Sequence, residues 1–330
     1  MLSRTLTLKI ASLKPVEALV RRSRLFRPVV RRFIAGETVE EGLAVAEGLV
    51  NRGFRVSLDL LGENTDSESE ANAATDAYVD MLRKLTDSPC MRLLSSPAAW
   101  VPPKLPSASE QPDPAETANI SIKMTQCGLD LSDELAEANL RRVLDAARKV
   151  GTFVRVDMEA SPYTERTIAL VERVSADYPN VGTVLQAYLH RTPDDLNRLL
   201  AAGVRVRMVK GAYLEPSTVA ITDKAGVDRA FVDLGKKMMR EGRYPAIATH
   251  DETIIQQLCR YADQERLPAS GFEFQMLYGI RRNLQERLLA EGYNVRVYIP
   301  LGDSWYPYFS RRLAERPANA AFILKSLFQR

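Results

Sequence analysis

Eight short runs rich in β-branched and aliphatic residues recur along this chain, separated by amphipathic stretches with helical spacing. The runs cover residues 55–61, 119–126, 153–160, 181–188, 205–212, 244–250, 272–278 and 295–301. Parallel strands need a crossover of a dozen or more residues between them, so this alternation implies a parallel βα architecture. Eight is the number that closes a (β/α)8 TIM-type barrel. Residues 133–149 and 228–240 place apolar side chains on one helical face and charges on the other, as helices packed outside a barrel do. The rival reading is a doubly wound open sheet. No GxGxxG follows the first run and no GxxxxGK[ST] occurs anywhere, so the usual nucleotide fingerprints of that fold are missing.

The chain of 330 residues is 45% apolar, which suits one barrel with extensions better than two enzyme domains. Residues 1–51 read as an N-terminal helical extension and 52–330 as the barrel domain. The proline-rich stretch 95–116 reads as a loop. Residues 304–315 read as a final helix that Pro317 ends near Arg316, with a further helical tail behind it.

Composition removes several function classes. With 45 basic and 42 acidic side chains, the net charge of +3 gives no field that would recruit nucleic acid. Cys90, Cys127 and Cys259 are odd in number and lie outside any CxxC, and His190 and His250 are the only histidines, so no metal is expected. No apolar stretch is long enough to span a bilayer, and Lys9 and Lys14 interrupt any signal-like core, so a soluble, cytoplasmic protein is expected. A basic run, Arg21, Arg22, Arg24, Arg27, Arg31 and Arg32, is interleaved with Leu25, Phe26, Val29 and Val30. It reads first as a solvated helical face and second as a peripheral contact with anionic lipid on the inner face of a membrane.

In βα barrels the working groups gather at the C-terminal ends of the strands. Polar residues recur there: Lys123 and Gln126, Asp157 and Glu159, Gln186, Arg207 and Lys210, Thr249 and His250, Gln275 and Tyr278, and Tyr298 within the eighth run. A buried charge costs several kcal/mol unless paired, so their recurrence on strand after strand points to a site. Asp157 and Glu159, two apart, are expected to point the same way from one strand. At the end of the chain Tyr308, Arg311, Arg312 and Glu315 fall at i, i+3, i+4 and i+7, on one helical face. Guanidinium forks bind carboxylates bidentately, so this helix offers paired arginines to a small carboxylate substrate. A different chemistry also fits strand-end lysines near carboxylates: a Schiff-base lyase or aldolase using Lys123 or Lys210.

Several pieces, in order, resemble the proline dehydrogenase family. They are Ser121-Ile122-Lys123, the acidic strand with Asp157, Leu185-Gln186-Ala187-Tyr188, Arg207-Met208-Val209-Lys210-Gly211-Ala212-Tyr213, Ala248-Thr249-His250, Phe274-Gln275-Met276-Leu277, Tyr298-Ile299-Pro300 and Tyr308…Arg311-Arg312…Glu315. The resemblance covers roughly residues 57–322. It implies a distorted barrel holding FAD non-covalently, with the last helix across the mouth. It implies that Arg311, Arg312 and Lys123 clamp the carboxylate of L-proline, that Tyr213, Leu277, Tyr298 and Tyr308 wall the ring, and that Asp157 and Glu315 hold those groups in place. Gln186, Arg207, Val209, Lys210, Gly211 and Ala212 would surround the flavin, with Thr222, Lys224, Thr249 and His250 toward its ribityl, pyrophosphate and adenosine parts. Arg207, as a donor beside the flavin, would stabilise the reduced ring, which makes Arg207, Lys123 and Asp157 the catalytic candidates. The implied reaction is hydride transfer from proline C5 to flavin N5, giving 1-pyrroline-5-carboxylate as the first step of proline catabolism. A membrane quinone would take the electrons and a separate glutamate semialdehyde dehydrogenase the product. One departure is Leu214, where bifunctional relatives tend to carry tryptophan.

Overall fold

The structure is a computed structural model that describes residues 14–22, 26–92 and 117–315. Helices Lys14–Arg22 (α1), Arg27–Arg31 (α2) and Val39–Val50 (α3) precede strand Arg55–Leu60 (β1). There follow Glu68–Asp87 (α4), Pro89–Arg92 (α5), Ala118–Ile122 (β2), Asp133–Val150 (α6), Val154–Val156 (β3), Ser161–Ser175 (α7), Val181–Gln186 (β4) and Thr192–Ala201 (α8). The second half runs Arg205–Val209 (β5), Lys224–Glu241 (α9), Ala246–Ala248 (β6), Glu252–Gln264 (α10), Glu273–Leu277 (β7), Arg282–Ala290 (α11), Asn294–Leu301 (β8) and Trp305–Glu315 (α12). All eight strands pair in parallel in sequence order, and β8 closes on β1 from Arg55 opposite Arg296 to Leu60 opposite Leu301. The expected α/β barrel is therefore the observed fold.

The helices start and stop where local chemistry dictates. In α6 the Ser132 side chain accepts the Leu135 N–H, Ala136, Leu140, Val143, Leu144 and Ala147 form one buried stripe, and Gly151 at φ 73° ends the helix. Each of the larger aliphatics contributes roughly 1.5–3 kcal/mol by leaving water. Thr38, Ser67, Asp223 and Asp251 cap α3, α4, α9 and α10 in the same way.

On β1, β2, β3, β5, β7 and the first half of β8 apolar and polar residues alternate, and the alternation has an unusual polarity. Val56, Leu58, Ile120, Ile122, Val154, Val156, Val206, Met208, Phe274, Met276, Val295 and Val297 belong to the main apolar core that the outer helices cover. The residues between them are Ser57, Asp59, Asn119, Ser121, Arg155, Arg207, Glu273, Gln275 and Arg296, all buried. Successive strand residues face opposite sides of a sheet, so this second set fills the lumen. Bonds between strands that are not neighbours, such as Arg207 on β5 to Ser121 on β2 at 2.9 Å, can only run across it. Barrel interiors are ordinarily packed with branched aliphatics; this lumen is largely polar, with Gly182, Val184 and Ala246 in register beside its arginines.

The N-terminal helices are tied to the end of the chain. Val20, Val29, Phe33 and Ile34 share a second apolar cluster with Leu61, Trp305, Tyr306, Tyr308 and Phe309. Trp305 donates Nε1–H to Glu37 at 2.9 Å, and the Arg21 guanidinium lies 4.9 Å from the Trp305 ring. Helix α3 packs Ala46 and Leu49 into the main core. Gly279 seats this segment: at φ 75° its missing Cβ would stand 1.7 Å from the Arg32 carbonyl oxygen. Gly279→Ala combines left-handed strain with a backbone clash, about 2 kcal/mol or more. The expected result is roughly a 30-fold rise in opening of the N-terminal segment, read as faster limited proteolysis before Val39; unchanged cleavage would refute the seating.

Candidate active site

The C-terminal ends of β1, β2, β3, β5 and β8 converge on one cluster. Lys123 sends Nζ to both oxygens of Asp59, at 2.9 and 3.2 Å. Arg207 donates Nη1–H to Asp157 Oδ1 at 2.7 Å and Nη2–H to Ser121 Oγ at 2.9 Å. Tyr298 donates its hydroxyl to the other oxygen of Asp157 at 2.7 Å, and the Arg207 guanidinium lies 5.3 Å from the Tyr298 ring centroid. Burial alone would lower the pKa of Lys123, but Asp59 and Asp157 outweigh it and hold the ammonium protonated, above its usual value. Burial, reinforced by Asp157 and Asp59, pushes the Tyr298 hydroxyl well up, so it stays a donor. The Asp59 carboxyl is lifted by burial against the pull of Lys123, with Asp157 adding to the rise.

Above this floor lies a looser rim. Arg311, on α12, pairs with Glu63 from the loop after β1, at 2.7 and 3.2 Å, and both side chains are about one-third exposed (34% and 33%). Arg312 stacks 5.3 Å from the Tyr308 ring, itself buried against Phe33 and Phe309. Burial raises the Tyr213 hydroxyl pKa, with Glu63 and Glu159 adding to the rise while Arg311 and Lys123 oppose it. Leu277 ends β7, half-buried, and donates its N–H to His250 Nε2 at 2.9 Å. Glu315 closes α12, and its side chain lies outside the described residues, as do Arg24, the 95–116 loop and the tail after Glu315.

The remaining sequence candidates gather at the ends of β4, β5 and β6. Gln186 is buried and donates Nε2–H to the Glu159 carbonyl at 2.9 Å. Lys210 bridges Asp228 and Asp251 at 2.5 and 2.9 Å, and the exposed Lys224 joins the same carboxylates. Thr249 Oγ1 accepts the Asp251 N–H at 3.1 Å, fixing the residue that caps α10. With Nε2 accepting a hydrogen bond, a neutral His250 carries its proton on Nδ1. Gly211 adopts φ 119° and its missing Cβ would meet the Tyr188 ring at 2.3 Å, so only glycine lets the main chain pass there. Val209 ends β5, half-buried, while Ala212 and Thr222 are exposed.

Asp157 and Glu159 do not share a strand. β3 stops at Val156, Asp157 turns toward Arg207 and Tyr298, and Glu159 turns away to accept the Thr125 N–H at 3.1 Å and hydroxyl at 2.6 Å. Three contributors were missed from sequence: Asp59, Ser121 and Glu63. Asp59 and Ser121 carried a signal, since they continue the polar alternation that ends in Lys123. The floor does not favour the lyase reading at Lys123, which carboxylates hold protonated, whereas a Schiff-base lysine must offer a neutral amine.

Fold and mouth together define a (β/α)8-barrel enzyme with ion-paired cations at the C-terminal ends of its strands. The family profile described as proline dehydrogenase matches residues 43–325. Proline dehydrogenase 1 of Bacillus subtilis subsp. natto is 39% identical over 300 residues, covering 91% of each chain. The proline dehydrogenase of Deinococcus radiodurans is 36% identical over 333 residues, covering 99% of this chain and 98% of its own. A crystal structure of proline utilization A from Bdellovibrio bacteriovorus, inactivated by N-propargylglycine, superposes with a TM-score of 0.78 at 26% identity. The match covers 94% of this chain and 34% of that one, so the chain spans about a third of that longer protein. This chain belongs to the proline dehydrogenase family.

Proposed function

We propose that the chain oxidises L-proline to 1-pyrroline-5-carboxylate, using non-covalently bound FAD and passing the electrons to a membrane quinone. The observation that carries this reading is the cluster of Lys123–Asp59 and Arg207–Asp157–Tyr298 beneath Arg311, in a barrel of this family. Arg311 and Arg312 take the carboxylate from the rim and the protonated Lys123 takes it from the floor, three cations for one anion. Arg311 exchanges its exposed partner Glu63 for the substrate, a small loss for a surface pair. Tyr213, Leu277, Tyr298 and Tyr308 wall the ring and exclude water. Tyr298, kept protonated, donates to Asp157 rather than accepting a proton, and Asp157 in turn aims Arg207.

The residues present fit the flavin: Arg207 Nε is buried without an acceptor, a donor left over for a bound group. Gln186, Arg207, Val209, Lys210, Gly211 and Ala212 would hold the ring system, and Thr222, Lys224, Thr249 and His250 the rest. When bound, FAD supplies the acceptor for the hydride that leaves proline C5. The protein's own share is position: carboxylate and ring are fixed so that C5 can come within about 3–3.5 Å of its acceptor.

An absorbance spectrum followed by anaerobic L-proline tests the proposal. The expected result is a flavin spectrum bleached by proline; yellow protein that proline leaves unchanged, or protein that FAD cannot reconstitute, refutes it. No described helix is long and apolar enough to cross a membrane. In this reading the quinone is reached by peripheral membrane contact through the exposed Arg22 and Arg27. At about 1 kcal/mol per basic residue, Arg22→Glu with Arg27→Glu is expected to weaken cosedimentation with anionic vesicles roughly tenfold or more. Equal sedimentation of variant and wild type would reject the contact.

A further inference from the structure

The lower half of the lumen, away from the mouth, holds charges that the reaction does not use. Arg55, Arg155, Arg205 and Arg296 converge there and are all buried. Glu273, a carboxylate among them, is already engaged. Arg296 grips it with Nε and Nη2 at 2.7 and 2.9 Å, and Gln275 donates to it at 2.5 Å. The Arg155 and Arg205 guanidiniums lie 4.8 and 4.3 Å from the centroid of a single ring, Phe153, so two like charges share one aromatic partner. Arg205 also lies 4.9 Å from the Tyr244 ring centroid and Arg55 5.9 Å from it.

Arg155 stands out in this set. It is 1% exposed and makes its hydrogen bonds through Nη1 alone, to the carbonyls of Thr183 at 3.1 Å and Arg205 at 2.6 Å. Its Nε and Nη2 are buried and meet no acceptor. Those two nitrogens form one edge of the guanidinium, the planar fork that binds an anion bidentately. An open fork in the interior leaves two hydrogen bonds unmade and a charge that Glu273, itself gripped by Arg296, offsets only in part, each costly. Water would complete the hydrogen bonds but not the charge. Gly182 makes room for this arrangement, since a Cβ there would lie 2.8 Å from Arg155 Nη1 and 2.4 Å from the Arg205 carbonyl oxygen.

We propose that the closed lower half of the barrel is a binding site for a small monovalent inorganic anion of halide size, held by the Nε and Nη2 edge of Arg155. A halide loses its hydration more readily than a carboxylate or phosphate does, which suits a buried fork. Burial, reinforced by Arg207 and Arg205, pushes the Arg155 guanidinium well below its usual pKa, and an anion beside it relieves that pressure. The site stands apart from the mouth, so it does not depend on which substrate the enzyme takes.

Bromide is the probe. Crystals of the FAD-loaded protein are soaked in sodium bromide and measured at the bromine edge, and melting temperatures are compared in sodium bromide and sodium gluconate at equal ionic strength. The expected results are an anomalous peak within hydrogen-bond reach of both Nε and Nη2 of Arg155, a higher melting temperature in bromide, and loss of that difference in Arg155→Leu. If Arg155→Leu does not fold, the two wild-type measurements still decide. No anomalous peak at the fork overturns the proposal. So does a peak without any halide effect in solution, which would mark an adventitious ion only, or a halide effect that persists in Arg155→Leu.

Discussion

Arg311→Met is expected to lower kcat/KM for proline by two to three orders of magnitude while leaving the melting temperature nearly unchanged. Arg311 meets Glu63 through both Nη groups at the rim, where each side chain is about one-third exposed (34% and 33%). An ion pair so exposed contributes about 0–1 kcal/mol to the fold, so little stability is lost with it. A substrate carboxylate held by the same fork inside a closing mouth gains two charge-assisted hydrogen bonds, about 3–5 kcal/mol together. Every ~1.4 kcal/mol is a tenfold change, which sets the expected loss. Glu63→Gln separates this clamp from a merely structural pair. Removing the competitor for Arg311 should leave KM equal or lower, whereas a pair needed for folding would fail in both variants alike. A kcat/KM in Arg311→Met within about threefold of wild type would discard the clamp.

The fold was legible because its determinant is local and repeated. Eight apolar runs separated by helical stretches admit few arrangements, and the observed strands all fall within or against those runs. Their ends were not legible. The runs at 153–160 and 244–250 reduce to Val154–Val156 and Ala246–Ala248. The cause is that burial continues past the last strand bond: Met124, Thr125, Cys127, Met158 and Glu159 are all buried in loops over the mouth. A sequence reports burial, and here burial outlasts the ladder that defines a strand.

The site was legible where charge interrupts an apolar expectation, as at Lys123, Asp157 and Arg207. It was not legible where meaning depends on which side of a strand faces the lumen. Arg155, Glu273 and Arg296 lie between apolar neighbours, and in a sheet covered by helices either face is buried. The period of two in Arg55-Val56-Ser57-Leu58-Asp59 and in Asn294-Val295-Arg296-Val297-Tyr298 carried that information. Helices demand the apolar set outside, so the polar set must point in. Glu63 gave no such signal, since a loop carboxylate gains its role only from where α12 comes to rest.

Glu273→Gln is expected to be the most destabilising single change in the lumen. Arg296 is 0% exposed and Glu273 1%, with the guanidinium gripping both carboxylate oxygens. Removing one partner of such a buried pair typically costs about 3–5 kcal/mol, because the Arg296 guanidinium loses the carboxylate that it grips through two of its nitrogens. The same pair predicts a pH signature. Burial would raise the Glu273 carboxyl pKa, but Arg296 outweighs it and lowers the group from 4.5 to about 2. A depressed carboxylate contributes stability that is fully present above its unfolded value and is lost as pH falls toward its folded one, so this contribution, about 3 kcal/mol, should vanish between pH ~4.5 and ~2. Urea unfolding of wild type and Glu273→Gln across pH 2 to 7 checks both claims. The gap between them should be widest near neutrality and narrow steadily below pH ~4.5. A gap independent of pH would show that the loss comes from packing alone and that Glu273 is not the anion Arg296 requires.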